Sequence, residues 1–168
     1  TFSNANPIYA VTQADSAVSK LLFSSLLTYN DANQLVGDLA ESYQVNDRGN
    51  VYTIVLREGL TWHDGKPLTS TDVVYTYNMI KNPDALSPFN QSWNGVTIRA
   101  TDARTVQFEL PIGLVSFPHS LTTGILPQHI LEGIPASQLR SSRFNTSTPI
   151  GSGPFRLVSI GNKGTTSD

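Results

Sequence analysis

The stretch that decides the fold is Leu56-Arg57-Glu58-Gly59-Leu60-Thr61-Trp62-His63-Asp64-Gly65-Lys66-Pro67-Leu68-Thr69. Its Asp-Gly and Lys-Pro pairs mark a tight turn between apolar anchors, so it predicts a loop around a buried Trp62. Thr69 and Asp72, three positions apart, are typical of a capping box with Asp in place of Glu. They predict a helix that follows this loop and ends at Asn82-Pro83.

Strands are predicted on both sides of this helix. Residues 51–57 are β-branched and aromatic, and the Asn, Asp and Gly residues within 45–50 supply the turn of a hairpin before them. After the helix, residues 96–99 and 105–110 alternate apolar and polar side chains around a turn. They predict a second hairpin.

Further elements are predicted toward both ends of the chain. Asp15 or Ser16 can cap a first helix that ends at Asn30-Asp31. Its buried stripe of apolar side chains consists of Val18, Leu21, Leu22 and Leu26. A short helix is predicted over 128–131 and a closing strand over 155–160. Helices and strands mix without a βαβ rhythm, so the predicted class is α+β with an antiparallel sheet.

Charged residues are scarce in this chain. They make up 14% of the 168 residues where about 25% is usual, and Ser and Thr supply the surface polarity instead. A formal net charge of -2 without clustered sign argues against nucleic-acid binding and against a polybasic membrane patch. The absence of Cys excludes disulfides, Cys-ligated zinc and thiol catalysis, and it suits an oxidising compartment.

No catalytic or metal-binding constellation stands out. The chain has three histidines, His63, His119 and His129. None has a partner at the i, i+4 spacing of metal ligands on a helix, so neither a metal nor a cofactor is expected. A hydrolase that uses His63, Asp64 and Ser152 is an alternative supported by residue type alone. The Gly-Ser-Gly around Ser152 precedes a strand, unlike a nucleophile elbow, and its glycines favour a bend or a close backbone approach.

Four stretches, taken together and in this order, indicate a protein family more specifically than any one of them does. They are Leu22-Phe23-Ser24-Ser25-Leu26-Leu27, then 39–43 continued through Asp47-Arg48-Gly49 to Tyr52-Thr53, then 56–69 with Asp72-Val73, and finally Pro149-Ile150-Gly151-Ser152-Gly153-Pro154-Phe155. Together they resemble the family 5 extracellular solute-binding proteins of ABC transporters, the group that binds dipeptides, oligopeptides and nickel. The stretch 125–131 is similar to a further segment of this family, and the likeness runs from Asn6 to Ile160.

The resemblance implies part of lobe I of a two-lobe periplasmic-binding-protein fold of type II, whose lobes close on a ligand by hinge motion. Residues 1–44 then belong to the lobe I core and include the first helix. Residues 45–150 form an extra subdomain of lobe I, and residues 151–168 return toward the lobe I core as a truncated strand. Family members are longer, so the second lobe is expected to be absent from these 168 residues.

The function that the resemblance implies is that of the substrate-binding component of an ABC importer, which performs no chemistry. Such a protein captures a solute outside the membrane and delivers it to the permease. A peptide is the expected solute, and nickel complexes and oligosaccharides are the alternatives. The expected partners are this solute and the ABC permease membrane subunits, without nucleic acid, and the protein is expected to be a monomer.

The expected location is periplasmic or extracellular, with a lipid anchor as an option. The first residues, Thr1-Phe2-Ser3-Asn4-Ala5, carry neither a basic nor an apolar signal region. A signal segment is therefore expected to be absent or already removed.

Ligand contacts are implied by the resemblance at two places. In oligopeptide-binding relatives the segment before the first helix lends backbone to an extended peptide by strand addition. Counting back from Leu22-Phe23 without gaps places these contacts at Val11, Thr12, Gln13, Ala14 and Asp15. An aromatic residue after Ser-Pro also approaches the ligand there, and Phe89 stands where the family often has Tyr. The motifs around Trp62 and Gly151 are expected to hold the fold instead.

Overall fold

The computed structural model describes residues 3–146, 149–153, 157–161 and 164–167. The helices and strands, in chain order, are α1 (Gln13–Leu22), β1 (Leu27–Tyr29), β2 (Leu35–Gly37), β3 (Ala40–Val45), β4 (Val51–Leu56), α2 (Ser70–Lys81), β5 (Thr97–Asp102), β6 (Thr105–Glu109), α3 (Gln128–Leu131), α4 (Ala136–Leu139), β7 (Leu157–Gly161) and β8 (Gly164–Ser167). Short 3-10 helices lie at Pro83–Ala85, Asn90–Trp93, Phe117–Thr122 and Arg143–Asn145. Within the described ranges, no helix is long and apolar enough to cross a bilayer.

The main sheet has four antiparallel strands in the order β3-β4-β6-β5. Two further antiparallel hairpins, β1-β2 and β7-β8, stand apart from it. Along β4 every second residue is buried, because one face of the strand packs on the core and the other is partly open to water. The α+β class with an antiparallel sheet, and both predicted hairpins of this sheet, are confirmed.

An aromatic cluster joins α2 to the buried face of the sheet. Tyr77 on α2 lies with its ring centroid 4.3 Å from that of Trp93 and meets the Phe108 ring of β6 edge-on at 5.3 Å. Phe117 extends the cluster, with its ring 5.7 Å from Phe108. These rings are all buried, and edge-to-face aromatic packing adds to the apolar area removed from water.

The predicted start and end of α2 are confirmed. The Thr69 N–H donates to Asp72 Oδ2 at 2.9 Å, which satisfies a backbone donor that no helical carbonyl can reach. At the other end, the Asn82 side chain accepts a hydrogen bond from Asp84 N and starts the next turn. The helix therefore stops where Asn82-Pro83 was expected to stop it.

The prediction for α1 was wrong in its cap and in its length. Thr12, not Asp15 or Ser16, caps the helix, because Thr12 Oγ1 accepts from Asp15 N at 3.0 Å. The helix ends at Leu22, and Leu26 reaches the core from extended chain beyond it. Leu21, expected in the buried stripe, is 40% exposed.

Only part of the final predicted strand, 155–160, lies within the described residues. Residues 157–160 lie in β7, as expected. Residues 155 and 156, the first two of the predicted strand, lie outside the described residues. The short helix predicted over 128–131 is confirmed as α3.

Candidate functional site

The predicted ligand segment forms the start of α1. Val11 is 59% exposed, and Thr12 and Gln13 are exposed beside it. Gln13, Ala14 and Asp15 form the first turn of α1, so their backbone follows the helix and not an extended strand. Thr12, the residue before the helix, has an extended backbone, and contact of residues 11–15 with a peptide by strand addition stays a prediction.

Asp15 is engaged by its own chain. Its carboxylate accepts hydrogen bonds from Ser3 N at 2.7 Å, from Ser3 Oγ at 2.9 Å and from Asn4 N at 3.1 Å. Burial acts to raise the pKa of Asp15, but these hydrogen bonds and that with Thr12 outweigh it and hold the pKa below the ordinary value of 3.8. Asp15 thus anchors the N-terminal segment to α1.

Two hydrogen bonds fix the loop that carries Phe89 against the chain that precedes α1. Ser87 Oγ donates to Ile8 O at 2.6 Å, and Tyr9 OH donates to Ala85 O at 2.6 Å. Both bonds are buried, and burial raises the pKa of Tyr9 to about 12, so its hydroxyl keeps the proton it donates. The loop that carries Phe89 is thereby fixed against residues 8–9.

A cavity of about 330 Å³ opens between α1, β1 and Phe89. We call it the α1 cavity. Its lining residues are Pro7, Ala10, Ser16, Ser19, Lys20, Phe23, Ser25, Thr28, Tyr29, Phe89, Thr122, Thr123 and Gly124. Of the predicted ligand residues, Phe89 lines it, while Val11, Thr12, Gln13, Ala14 and Asp15 do not. Ala10 and Ser16 line it on either side of that predicted segment.

A buried carboxylate just after the deciding stretch serves the fold. Asp72 is buried and accepts hydrogen bonds from Thr69 N at 2.9 Å, from Gln128 N at 2.9 Å and from Trp62 Nε1 at 3.3 Å. We call this group the Asp72 anchor. Burial raises the pKa of Asp72 against the effect of these donors. The Asp72 anchor joins the Trp62 loop, α2 and α3 in one place.

The Gly-Ser-Gly motif closes against the end of α1. The N–H groups of Ser152 and Gly153 both donate to Leu22 O at 2.9 Å. A Cβ on Gly151 would lie 1.7 Å from that same oxygen, so only glycine fits this close backbone approach. His63 completes the joint, with its N–H on Gly151 O at 2.8 Å and its Nε2 at 2.9 Å from Gly153 O.

The hydrolase alternative is wrong in its geometry. His63 Nε2 is hydrogen-bonded to the backbone oxygen of Gly153. Asp64 Oδ2 lies 2.7 Å from His129 Nε2, and Ser152 Oγ accepts from Ser24 N at 3.3 Å. The three side chains are thus each held by a different group, and no nucleophile-to-base-to-acid chain links them.

Most of this chain matches one protein family. The sequence model described as "Bacterial extracellular solute-binding proteins, family 5 Middle" matches residues 34–166. The chain belongs to this family. Its members are solute-binding proteins, not enzymes, and the expected family is confirmed together with its two-lobe fold, of which this chain covers a part.

Individual family members support the assignment. The chain is 31% identical to the oligopeptide-binding protein AppA of Bacillus subtilis over 155 residues, which is 90% of this chain and 28% of that protein. It is 34% identical over 157 residues to a putative ABC transporter peptide-binding protein of Brucella ovis, covering 92% of this chain and 29% of the relative. The chain therefore spans less than a third of the length of these relatives.

Solved family 5 structures superimpose closely on the fold. The structure of AppA from Bacillus subtilis in complex with a nonapeptide matches with a TM-score of 0.90 at 29% identity, over 95% of this chain and 32% of that one. NikZ from Campylobacter jejuni in complex with Ni(L-His) matches with a TM-score of 0.87 at 30% identity, over 96% of this chain and 32% of that one.

Sequence reasoning missed most of the α1 cavity. Lys20, Tyr29 and Thr123 line it together with Phe89, although they are far apart along the chain. No local pattern indicates that residues near 20 and near 123 meet. The high Ser and Thr content was a weak signal, since many of the lining side chains carry hydroxyls.

Proposed function

We propose that this chain forms one wall of the solute site in the substrate-binding component of an ABC importer, and that the solute is a peptide. The observation that carries this proposal is the α1 cavity, which Phe89 lines together with Ser16, Ser19 and Lys20 of α1. Peptide-binding relatives at 31% and 34% identity support the choice of solute. Ligand sites are concave and place polar groups beside aromatic side chains.

The remaining parts of the proposal concern the whole protein. A second lobe closes over the cavity, and the loaded protein delivers the solute to ABC permease membrane subunits. The binding protein works as a monomer, outside the cytoplasmic membrane in the periplasm or extracellular space, with a lipid anchor where the cell envelope requires one. Val11, Thr12, Gln13, Ala14 and Asp15 remain predicted ligand contacts, with side chains or the extended backbone before the helix as the contacting groups.

Nickel complexes and oligosaccharides are the alternative solutes. NikZ, a structural relative, was solved in complex with Ni(L-His). The lining of the α1 cavity favours a peptide over a nickel complex, because it offers hydroxyls, aromatic rings and one ammonium group, with no imidazole or carboxylate among its described members.

A titration of the chain with the peptide Ala-Ala-Phe, followed by amide shifts in NMR spectra, tests the proposal. We expect binding with a Kd near the millimolar range, since one wall of a cleft leaves much of the ligand in water. Phe89→Ala should weaken this binding about tenfold through lost apolar contact. Tyr43→Ala is the matched control, because Tyr43 is also a partly exposed aromatic residue but lies outside the cavity.

Two results would contradict the proposal. One is the absence of saturable shifts at any peptide concentration up to the solubility limit. The other is equal weakening by Phe89→Ala and Tyr43→Ala, which would mean that the peptide adheres to exposed aromatic rings in general. Micromolar binding by this chain alone would contradict the requirement for a second wall.

A further inference from the structure

The α1 cavity has an unbalanced charge. Among the described residues that line it, Lys20 alone is charged. Lys20 lies in the last turn of α1 and is exposed, and it has no hydrogen-bond or ion-pair partner within the described part of the chain. An ammonium group carries three donors and no acceptor. The cavity therefore presents a positive group that nothing described in this chain neutralises.

Asp15 and Asp38 do not line the cavity, and both accept hydrogen bonds from their own chain. Asp38 accepts from Ser25 N at 3.1 Å, and it does not line the cavity. Burial raises the pKa of Asp38 in spite of this bond and of the nearby Arg57. Asp15, on the same helix as Lys20, is held by Ser3 and Asn4.

Serine and threonine hydroxyls of two kinds line the cavity together with Lys20. Ser16, Ser25 and Thr122 donate their protons to backbone oxygens of their own chain, at 3.2, 2.6 and 3.0 Å. These three can therefore only accept a hydrogen bond from a ligand. By contrast, no hydrogen bond within the described ranges involves the hydroxyls of Ser19, Thr28 and Thr123, which line the same cavity. These remain available as donors.

The cavity thus combines donors for an anion with acceptors for an N–H. Its apolar part is formed by Phe23 and Phe89. A volume of about 330 Å³ is at the lower end of the range for ligand pockets, so it suits one end of a peptide and not a whole one. The C-terminal residue of a peptide has all the matching features, namely a carboxylate, an amide N–H and a side chain.

We infer that Lys20 binds a carboxylate of the peptide, with the terminal α-carboxylate as the group that fits best. This inference rests on the proposed function and names the chemistry of the same site. The hydroxyls of Ser19, Thr28 and Thr123 supplement Lys20, because a carboxylate has two oxygens and accepts several hydrogen bonds. Apolar and aromatic residues are preferred at the last position of the peptide, beside Phe23 and Phe89.

The test compares three peptides on the chain by amide-shift titration. They are Ala-Ala-Phe with a free carboxylate, its C-terminal amide, and the amide Ala-Glu-Phe-NH2, whose only carboxylate is on a side chain. We expect the free acid to bind about tenfold more tightly than its amide, the size of effect that one charge-assisted hydrogen bond supplies. Affinity restored in Ala-Glu-Phe-NH2 would support a carboxylate site and assign it to a side-chain carboxylate.

Three variants separate the role of Lys20 from general electrostatics. Lys20→Gln should bind the acid and the amide equally, whereas Lys20→Arg should keep most of the preference. Lys66→Gln is the matched control, because Lys66 is exposed, lies outside the cavity and has the same charge. The preference of Lys66→Gln for the acid over the amide should equal that of the unchanged chain.

The outcomes distinguish this inference from the proposed function. If acid and amide bind equally well to the unchanged chain, and Phe89→Ala still weakens both, the inference is overturned and the peptide site stands. The same holds if Lys20→Gln retains the preference for the acid. If no peptide gives saturable shifts, both the inference and the proposed function are overturned.

Discussion

The polar groups of the Asp72 anchor and those of the α1 cavity differ in what they bind. In the Asp72 anchor, one carboxylate takes donors from Trp62, Thr69 and Gln128, and each donor belongs to the chain. In the α1 cavity, Lys20 and the hydroxyl of Thr123 have no such partner among the described residues. The fold itself satisfies the carboxylate of the Asp72 anchor, whereas the polar groups of the proposed ligand site are left available for a ligand.

A substitution in the contact between residues 151–153 and the end of α1 should have the largest effect on stability. Gly151→Ala would place a Cβ 1.7 Å from Leu22 O, between backbone atoms that cannot rotate away. We expect a loss of about 3 kcal/mol in the free energy of unfolding, measured by urea denaturation. Gly133→Ala is the control, because nothing lies within 4 Å of a Cβ at that position. Equal stability of the two variants would mean that residues 151–153 do not fix the end of α1.

The Asp72 anchor should give the next largest effect on stability and none on peptide contact. Asp72→Ala leaves the donors of Trp62, Thr69 and Gln128 without their acceptor. The expected cost is about 2 kcal/mol in the free energy of unfolding. Asp47→Ala, at an exposed turn, is the control and should cost little. If folded Asp72→Ala binds Ala-Ala-Phe differently from the unchanged chain, the separation between the two regions fails.

Asp15 should give a smaller effect that depends on pH. Its folded pKa lies below 3.8, so its stabilising contribution is present above that pH and is lost as the pH falls through the folded pKa. The stability difference between the unchanged chain and Asp15→Asn should therefore be about 1 kcal/mol at pH 6 and shrink toward pH 2. Asp31→Asn, at an exposed position, serves as the control for the general effect of removing one charge. A difference for Asp15→Asn that is constant with pH would contradict the assigned hydrogen bonds.

The sequence predicted the region around α2 far better than the region around α1. Alternation along β4 and the capping pair Thr69 and Asp72 are local signals, and local signals decide where those elements begin and end. The end of α1 depends instead on Leu22 O, whose partners lie at residues 152 and 153. An apolar periodicity that runs on to Leu26 cannot reveal that contact, and this is why the helix was predicted too long.

The α1 cavity could be predicted only in part for the same reason. The family resemblance predicts Phe89 as a ligand contact, and Phe89 lines the cavity. Lys20 and Thr123 meet there only because the fold brings α1 beside residues 122–124. Their positions in the sequence carry no sign of this.

The most direct test of the difference between the two regions is a map of amide shifts over the whole chain during titration with Ala-Ala-Phe. The predicted result is saturable shifts in α1, β1 and residues 122–124, with no shift at Thr69, Asp72 or Gln128. Saturable shifts centred on the Asp72 anchor, with none along α1, would contradict the account.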